Sequence, residues 1–302
     1  MAIKTLICGL SGTGKSTSAR NLKDVAVVNP VNKPLPFKNK FEMLNGVTDS
    51  KEIIKFMKNT DKKVIIVDDF QYLLSIPYMR RIKESGWDKY NDFASNYFDI
   101  INVCDELPDD VTVYFMTHTE TLEDGTETVK LIGKLLREKI CIEGLFTTVL
   151  KTMVNDGKYY FITQNNGHDN VKSPLGMFNS YAIDNDLNYV DEKIRNYYEV
   201  GNFLTDEDIA EIDKEAERVE IEAPKPKSER KRRSRASETA TETEEAKPER
   251  KQRKTREQVE ADNDSKVAEQ LQEDQREEVP FDEAETPAVE TPPRRRRRRT
   301  AE

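Results

Sequence analysis

The stretch GLSGTGKST, Gly9 to Thr17, follows directly on the apolar run Leu6-Ile7-Cys8. No other segment limits the possible folds so sharply. Gly9, Gly14, Lys15 and Ser16 stand in the spacing G-x-x-x-x-G-K-[ST], which lets glycines turn successive backbone N–H groups inward on one phosphate. The residues before it, Lys4 to Cys8, read as a strand. Those after it, Ser16 to Leu22, read as a helix whose free N–H groups and dipole add to an anion site. The expected phosphate contacts are therefore Gly9, Ser11, Gly12, Thr13, Gly14, Lys15, Ser16 and Thr17. Lys15 reaches toward the β- and γ-phosphates, and the Ser16 hydroxyl ligates Mg²⁺. The alternative is a glycine-rich turn from strand to helix that binds nothing.

Composition divides the chain. Residues 223–302 hold one aromatic, Phe281, with 21 Lys+Arg against 20 Asp+Glu. Such a segment cannot bury enough apolar surface to offset its ordering entropy, so a disordered charged tail is expected there. Residues 1–222 keep 27 basic and 37 acidic residues, a net charge of −10. A domain over 1–200 and a helical linker over 201–222 complete the expected organisation. Cys8, Cys104 and Cys141 are scattered without metal-ligand spacing, which fits reduced thiols in a cytosol. No apolar stretch approaches the ~20 residues that span a membrane. The early strand leaves no room for a signal peptide, and a cytoplasmic location is expected.

Hydrophobic periodicity supplies the rest of the architecture. Buried strands are expected at Val25–Asn29, Val64–Val67 and from Val111 through His118, since continuous apolar runs mark strands covered on both faces. Helices are expected over Asp49–Met57, Asp88–Leu107 and Ile132–Ile140. Asn155-Asp156-Gly157 between Thr147–Val154 and Tyr159–Thr163 is a hairpin signal. Thr205 and Asp208 mark a helix start for Asp206–Arg218. The stretch NPVNKPLPFKNKF fits neither period. Strands alternating with helices predict an α/β fold with a mostly parallel sheet, in the layout of RecA-like P-loop NTPases.

In such sheets ligands sit at the carboxyl ends of the strands, where Gly9, Asp68 and His118 should converge. Asp68 closes an apolar strand, the place for a Mg²⁺ carboxylate opposite Ser16. Asp69 is placed to orient or deprotonate the attacking water, and His118 to sense the γ-phosphate. Hydrated strand-end aspartates and an ordinary hydrogen-bonded histidine are the plainer readings of the same residues.

Taken together, GLSGTGKST, VIIVDDFQYLL, VYFMTHTE, KLIGKLLREKICIEGLFTTVL and NVKSPLGMF resemble a family of bacteriophage RecA-like ATPases, some of which anneal single strands in recombination. The resemblance spans residues 3–190. It implies an ATP- and Mg²⁺-dependent ATPase acting on single-stranded DNA, oligomeric, in the cytoplasm of a phage host. The family's GK falls on Gly133-Lys134, and Lys134 is then the cation that one subunit offers to its neighbour's γ-phosphate. No glutamate follows the second strand, where bacterial RecA-type ATPases carry one; this chain has NPVNKP, which leaves Asp69 as the substitute.

A net-negative domain binds a polyanion only through a local basic stripe. Lys130, Lys134, Arg137, Lys139 and Lys172 are candidates, with Tyr78, Trp87 and Tyr90 as stacking partners. In the tail, three basic clusters make either a tether or a DNA-binding arm. EEVPF, Glu277 to Phe281, is similar to the acidic tips by which single-strand-binding proteins recruit partners. Two other readings stand beside this one: an ATP-switched helicase loader or adaptor, and a small-molecule P-loop kinase. The kinase would need a lid rich in arginine, and from the end of the fourth strand to residue 190 the chain has only Arg137.

Overall fold

The computed structural model describes residues 1–86 and 88–223. The charged tail, its basic clusters, EEVPF and Trp87 lie outside the described residues. Strand β1 (Ile3–Gly9) runs into the glycine loop, and β2 (Val25–Asn29), β3 (Glu42–Asn45), helix α1 (Ser50–Asn59) and β4 (Val64–Val67) follow. Next come α2 (Tyr72–Arg80), α3 (Asp88–Asn102), β5 (Thr112–Thr121), β6 (Glu127–Val129) and α4 (Lys134–Glu138). The chain continues through β7 (Thr148–Asn155), β8 (Lys158–Ile162), β9 (Ala182–Asp184), α5 (Leu187–Tyr198) and α6 (Asp206–Ala216).

The main sheet has the order β3-β2-β4-β5-β1-β7-β8-β9, with β6 paired to β5. From β3 to β7 all pairings are parallel; β8 and β9 add an antiparallel edge. This is a mixed α/β fold with a mostly parallel central sheet. Alternation along the strands sorts side chains into two cores. Leu6, Val28, Ile65, Val67 and Phe115 face one layer with α1 and α3. Ile7, Val27, Ile66, Tyr114 and Met116 face the other, with α5 and the turn after the glycine loop. A parallel sheet covered on both faces needs such doubly apolar strands.

Local signals set several boundaries. Asp49 caps α1 by accepting from the Lys51 N–H at 2.9 Å, and Thr205 with Asp208 forms a capping box on α6. Asp156 (φ 49°) and Gly157 (φ 75°) turn the β7–β8 hairpin. Two expected helices come out differently. Ser16–Asn21 is a six-residue 3-10 helix, because the Ser18 hydroxyl donates to the Lys15 carbonyl at 2.6 Å and tightens the turn. Over Ile132–Ile140 only Lys134–Glu138 is helical, since Gly133 at φ 93° bars a helix from starting earlier.

At the strands' amino ends a buried polar knot fixes α5. Asp191 accepts from the hydroxyls of Thr112 (2.6 Å) and Tyr114 (2.7 Å) and from Arg195 (2.6 Å). Arg195 also donates to the carbonyls of Asp110 (3.0 Å) and Lys63 (3.1 Å). The segment expected as a linker is docked: Asp213 of α6 accepts from Tyr189 (2.7 Å) and Lys193 (2.8 Å) of α5. Among the described residues no helix is long and apolar enough to cross a membrane.

Candidate active site

Register brings the loops to one edge. Gly9 of β1 lies opposite His118 of β5, and Val67 of β4 opposite Phe115. Strand β5 thus stands between the glycine loop and the strand that ends in Asp68-Asp69, and the last residue of its parallel pairing with β1, His118, lies between them. A cavity of about 400 Å³ opens there, walled by the loop residues Ser11, Gly12 and Gly14 to Thr17, and by Lys33, Asp69, His118 and Tyr159.

The glycines of the loop have steric reasons. A Cβ on Gly9 would lie 2.1 Å from the Thr152 hydroxyl, and Gly9 must let β7 approach. Gly14 has φ 96°, and a Cβ there would meet the Tyr159 ring at 2.9 Å. Thr13 and Thr152 share a hydrogen bond of 2.5 Å, which ties the loop to β7.

Lys15 is buried, and its ammonium donates to the carbonyls of Gly9 (2.9 Å) and Leu10 (2.7 Å). Burial pulls its pKa down to about 8, against the attraction of Asp69 and Asp68. The Ser16 hydroxyl donates to both oxygens of Asp68, at 2.9 and 3.0 Å. Asp68 is 1% exposed. Burial, and then the charge of Asp69, push its carboxyl above the ordinary range, while Lys33 and Ser16 pull the other way.

Asp69 sits in left-handed backbone at φ 53°, locked by the next residue: Phe70 donates its N–H to the Met116 carbonyl (2.7 Å) and stacks on Tyr97. One Asp69 oxygen pairs with Lys33, and the other lies 3.4 Å from His118 Nε2. Burial works against this carboxylate, but His118 and Lys33 outweigh it and hold it below its ordinary range. Two adjacent acids are thereby driven apart, Asp68 toward protonation and Asp69 toward charge.

The fit to Mg²⁺ can be judged from the donor set. Among the described residues no group of three or more His, Cys, Asp or Glu is clustered to hold a metal. One buried carboxylate and one hydroxyl already in contact, Asp68 and Ser16, instead match a cation that keeps waters and takes its other ligands from substrate phosphates.

The sequence-derived residues Gly9 to Thr17, Asp68, Asp69 and His118 therefore gather at one edge. Lys134 does not join them within the chain. Its side chain is 73% exposed, pairs with Glu138 at 3.7 Å, and borders a separate hollow beside Tyr78. In the candidate basic stripe, Arg137 is paired with Glu120 at 2.7 Å. Four site residues had no sequence signal. Lys33 comes from the aperiodic stretch after β2. Gln71 accepts from the His118 N–H at 3.1 Å and steadies the end of β5. Tyr159 packs on Gly14. Asn185 is 3% exposed beside Gly14, and neither its Oδ1 nor its Nδ2 has a hydrogen-bond partner. No protein-family model matches the chain, and no curated protein matches it.

Proposed function

We propose that this chain is a Mg²⁺-dependent ATPase of RecA-like P-loop type that acts on single-stranded DNA, annealing or pairing strands in phage replication or recombination. What carries the nucleotide reading is one juxtaposition: the glycine loop with its buried Lys15, and the Ser16–Asp68 contact at the same strand edge. The DNA and phage part rests on the resemblance of the THTE, GK and KSPLGMF segments.

Each residue then has a definite task. Backbone N–H groups of Gly12 to Thr17 cradle the phosphates, and Lys15 exchanges two loop carbonyls for the β- and γ-phosphate oxygens. Ser16 and Asp68 would hold Mg²⁺, which would supply positive charge against the charge that builds up on the phosphates. Asp69 is held ionised and hydrogen-bonded, which makes it a weak base; it orients the attacking water rather than removing its proton outright. His118, touching Asp69, links that water to the end of β5. Lys134 acts only from a neighbouring subunit, as a cation in trans.

One observation favours the adaptor reading: the cavity-lining carboxylate, Asp69, is engaged by Lys33 and His118, which suits slow turnover and a nucleotide-driven switch. Nucleotide titration and an ATPase assay with and without single-stranded DNA separate the readings. Expected are Mg²⁺-dependent ATP binding and a turnover that rises with DNA. Turnover that needs a protein partner instead would favour the adaptor, and phosphate transfer to a nucleoside or sugar the kinase. Absence of ATP binding would defeat the proposal.

A further inference from the structure

Lys33 occupies the place after the second strand where bacterial RecA-type ATPases carry a glutamate. It is a cation instead, and its position is built. Asn29 ends β2, is 1% exposed, and donates from its carboxamide to the Lys33 carbonyl at 2.7 Å and to Asn45 Oδ1 at 2.9 Å. The Asn29 carbonyl accepts from the N–H groups of Asn32 (3.2 Å) and Gly46 (2.9 Å). Asn32 turns the chain in left-handed backbone at φ 57°. Pro34 follows at once and restricts the backbone of Lys33 to extended conformations. The connection is thus clamped to the ends of β2 and β3, and the lysine stem leaves it at the cavity wall.

Its ammonium rests on Asp69, whose side chain is 4% exposed, while the Lys33 side chain itself is 43% exposed. Partial burial lowers the Lys33 pKa, but the Asp69 carboxylate outweighs it and holds the cation above its ordinary value. Asp69 does not depend on Lys33 alone, since His118 touches its other oxygen. A long, half-exposed side chain on a fixed base, sharing its anion with a second partner, can leave that anion when a stronger one arrives.

We infer that Lys33 is a phosphate-contacting residue supplied within the same subunit: it leaves Asp69 for the γ-phosphate and so makes the site prefer nucleoside triphosphate over diphosphate. This rests on the nucleotide reading of the site above. In the absence of the γ-phosphate Lys33 stays on Asp69 and blocks that carboxylate. With the γ-phosphate present, Lys33 moves and Asp69 faces the water with only His118 attached. The identity of the bound nucleotide is thereby written into the β2–β3 connection, which Asn29 couples to the sheet edge.

The experiment compares dissociation constants for fluorescent ATP and ADP analogues, with Mg²⁺, on the full chain. Wild-type protein should prefer ATP. Lys33→Ala and Lys33→Met should lose ATP affinity by on the order of tenfold, the worth of one charge-assisted hydrogen bond. Their ADP affinity should stay within about twofold, and Lys33→Arg should keep most of the preference. A lysine that merely holds the connection in place predicts something else: both nucleotides weaken together in Lys33→Ala, and Asp69→Asn does the same. Equal losses for ATP and ADP, in variants with the wild-type circular dichroism spectrum, overturn the inference. A wild-type protein that binds neither nucleotide overturns the nucleotide reading itself, so the two failures are distinguishable.

Discussion

Replacing Lys15 by methionine should stabilise the empty protein while destroying its response to ATP. The stem of the side chain is kept and the charge removed. Burial brings the Lys15 pKa from 10.5 down to about 8. At about 1.4 kcal/mol for each tenfold change in proton affinity, the charged ammonium costs the fold up to ~3 kcal/mol at neutral pH. Against this, methionine gives up the hydrogen bonds to the Gly9 and Leu10 carbonyls, a loss of about 1 kcal/mol or somewhat more. The net gain is about 1–2 kcal/mol, or roughly 2–8 °C in melting temperature for a domain of this size. The pH dependence has a definite sign. The folded protein releases the Lys15 proton more readily than the unfolded chain, so between about 8 and 10.5 the unfolded state binds more protons. Wild-type stability should therefore climb relative to Lys15→Met across that window, and the gap should close. With ATP at a hundred times its dissociation constant, wild type should gain about 2.7 kcal/mol and the variant almost nothing. Differential scanning fluorimetry from pH 7 to 10.5, with and without MgATP, reads all of this. An empty variant that melts below wild type would refute the desolvation argument, and an undiminished ATP shift would refute the site.

Asp68→Asn should slow Mg²⁺-dependent turnover by at least tenfold while changing nucleotide affinity less, because the backbone cradle survives; steady-state kinetics beside a binding titration checks the split. Arg195→Met should cost about 3–5 kcal/mol, since it leaves Asp191 buried without its cation; chemical denaturation measures it, and a loss under 1 kcal/mol would show that the knot relaxes freely. Lys134→Ala should bind ATP like wild type yet hydrolyse it poorly if the lysine works across a subunit interface. Mixing it with Lys15→Ala protein should then recover activity, and no recovery under proven subunit exchange would end that assignment.

What the sequence determined by itself is whatever a short contiguous window encodes. The glycine loop is one such window, because glycine, lysine and serine spacing fixes a local backbone shape. Apolar runs announced β1, β2, β4 and β5, since a strand covered on both faces must be apolar throughout. The apolar face of Ile53, Ile54, Phe56 and Met57 announced α1, and the Thr205–Asp208 pair announced α6 through a cap made within a few residues. Elements that owe their existence to distant partners stayed silent. Strand β9 is three residues long and exists by pairing with β8. Helix α5 was hidden because its inward face carries Asp191, Lys193 and Arg195, whose charges break the apolar stripe and are paid for by Thr112, Tyr114 and Asp213 far along the chain. The same holds within the site. Asp68 could be read from the strand it ends, but the opposite shifts of Asp68 and Asp69 come from burial, Ser16, His118 and Lys33 together. Lys33 and Asp69 meet across 36 positions of sequence only because β2 and β4 are parallel neighbours, and that pairing belongs to the tertiary structure.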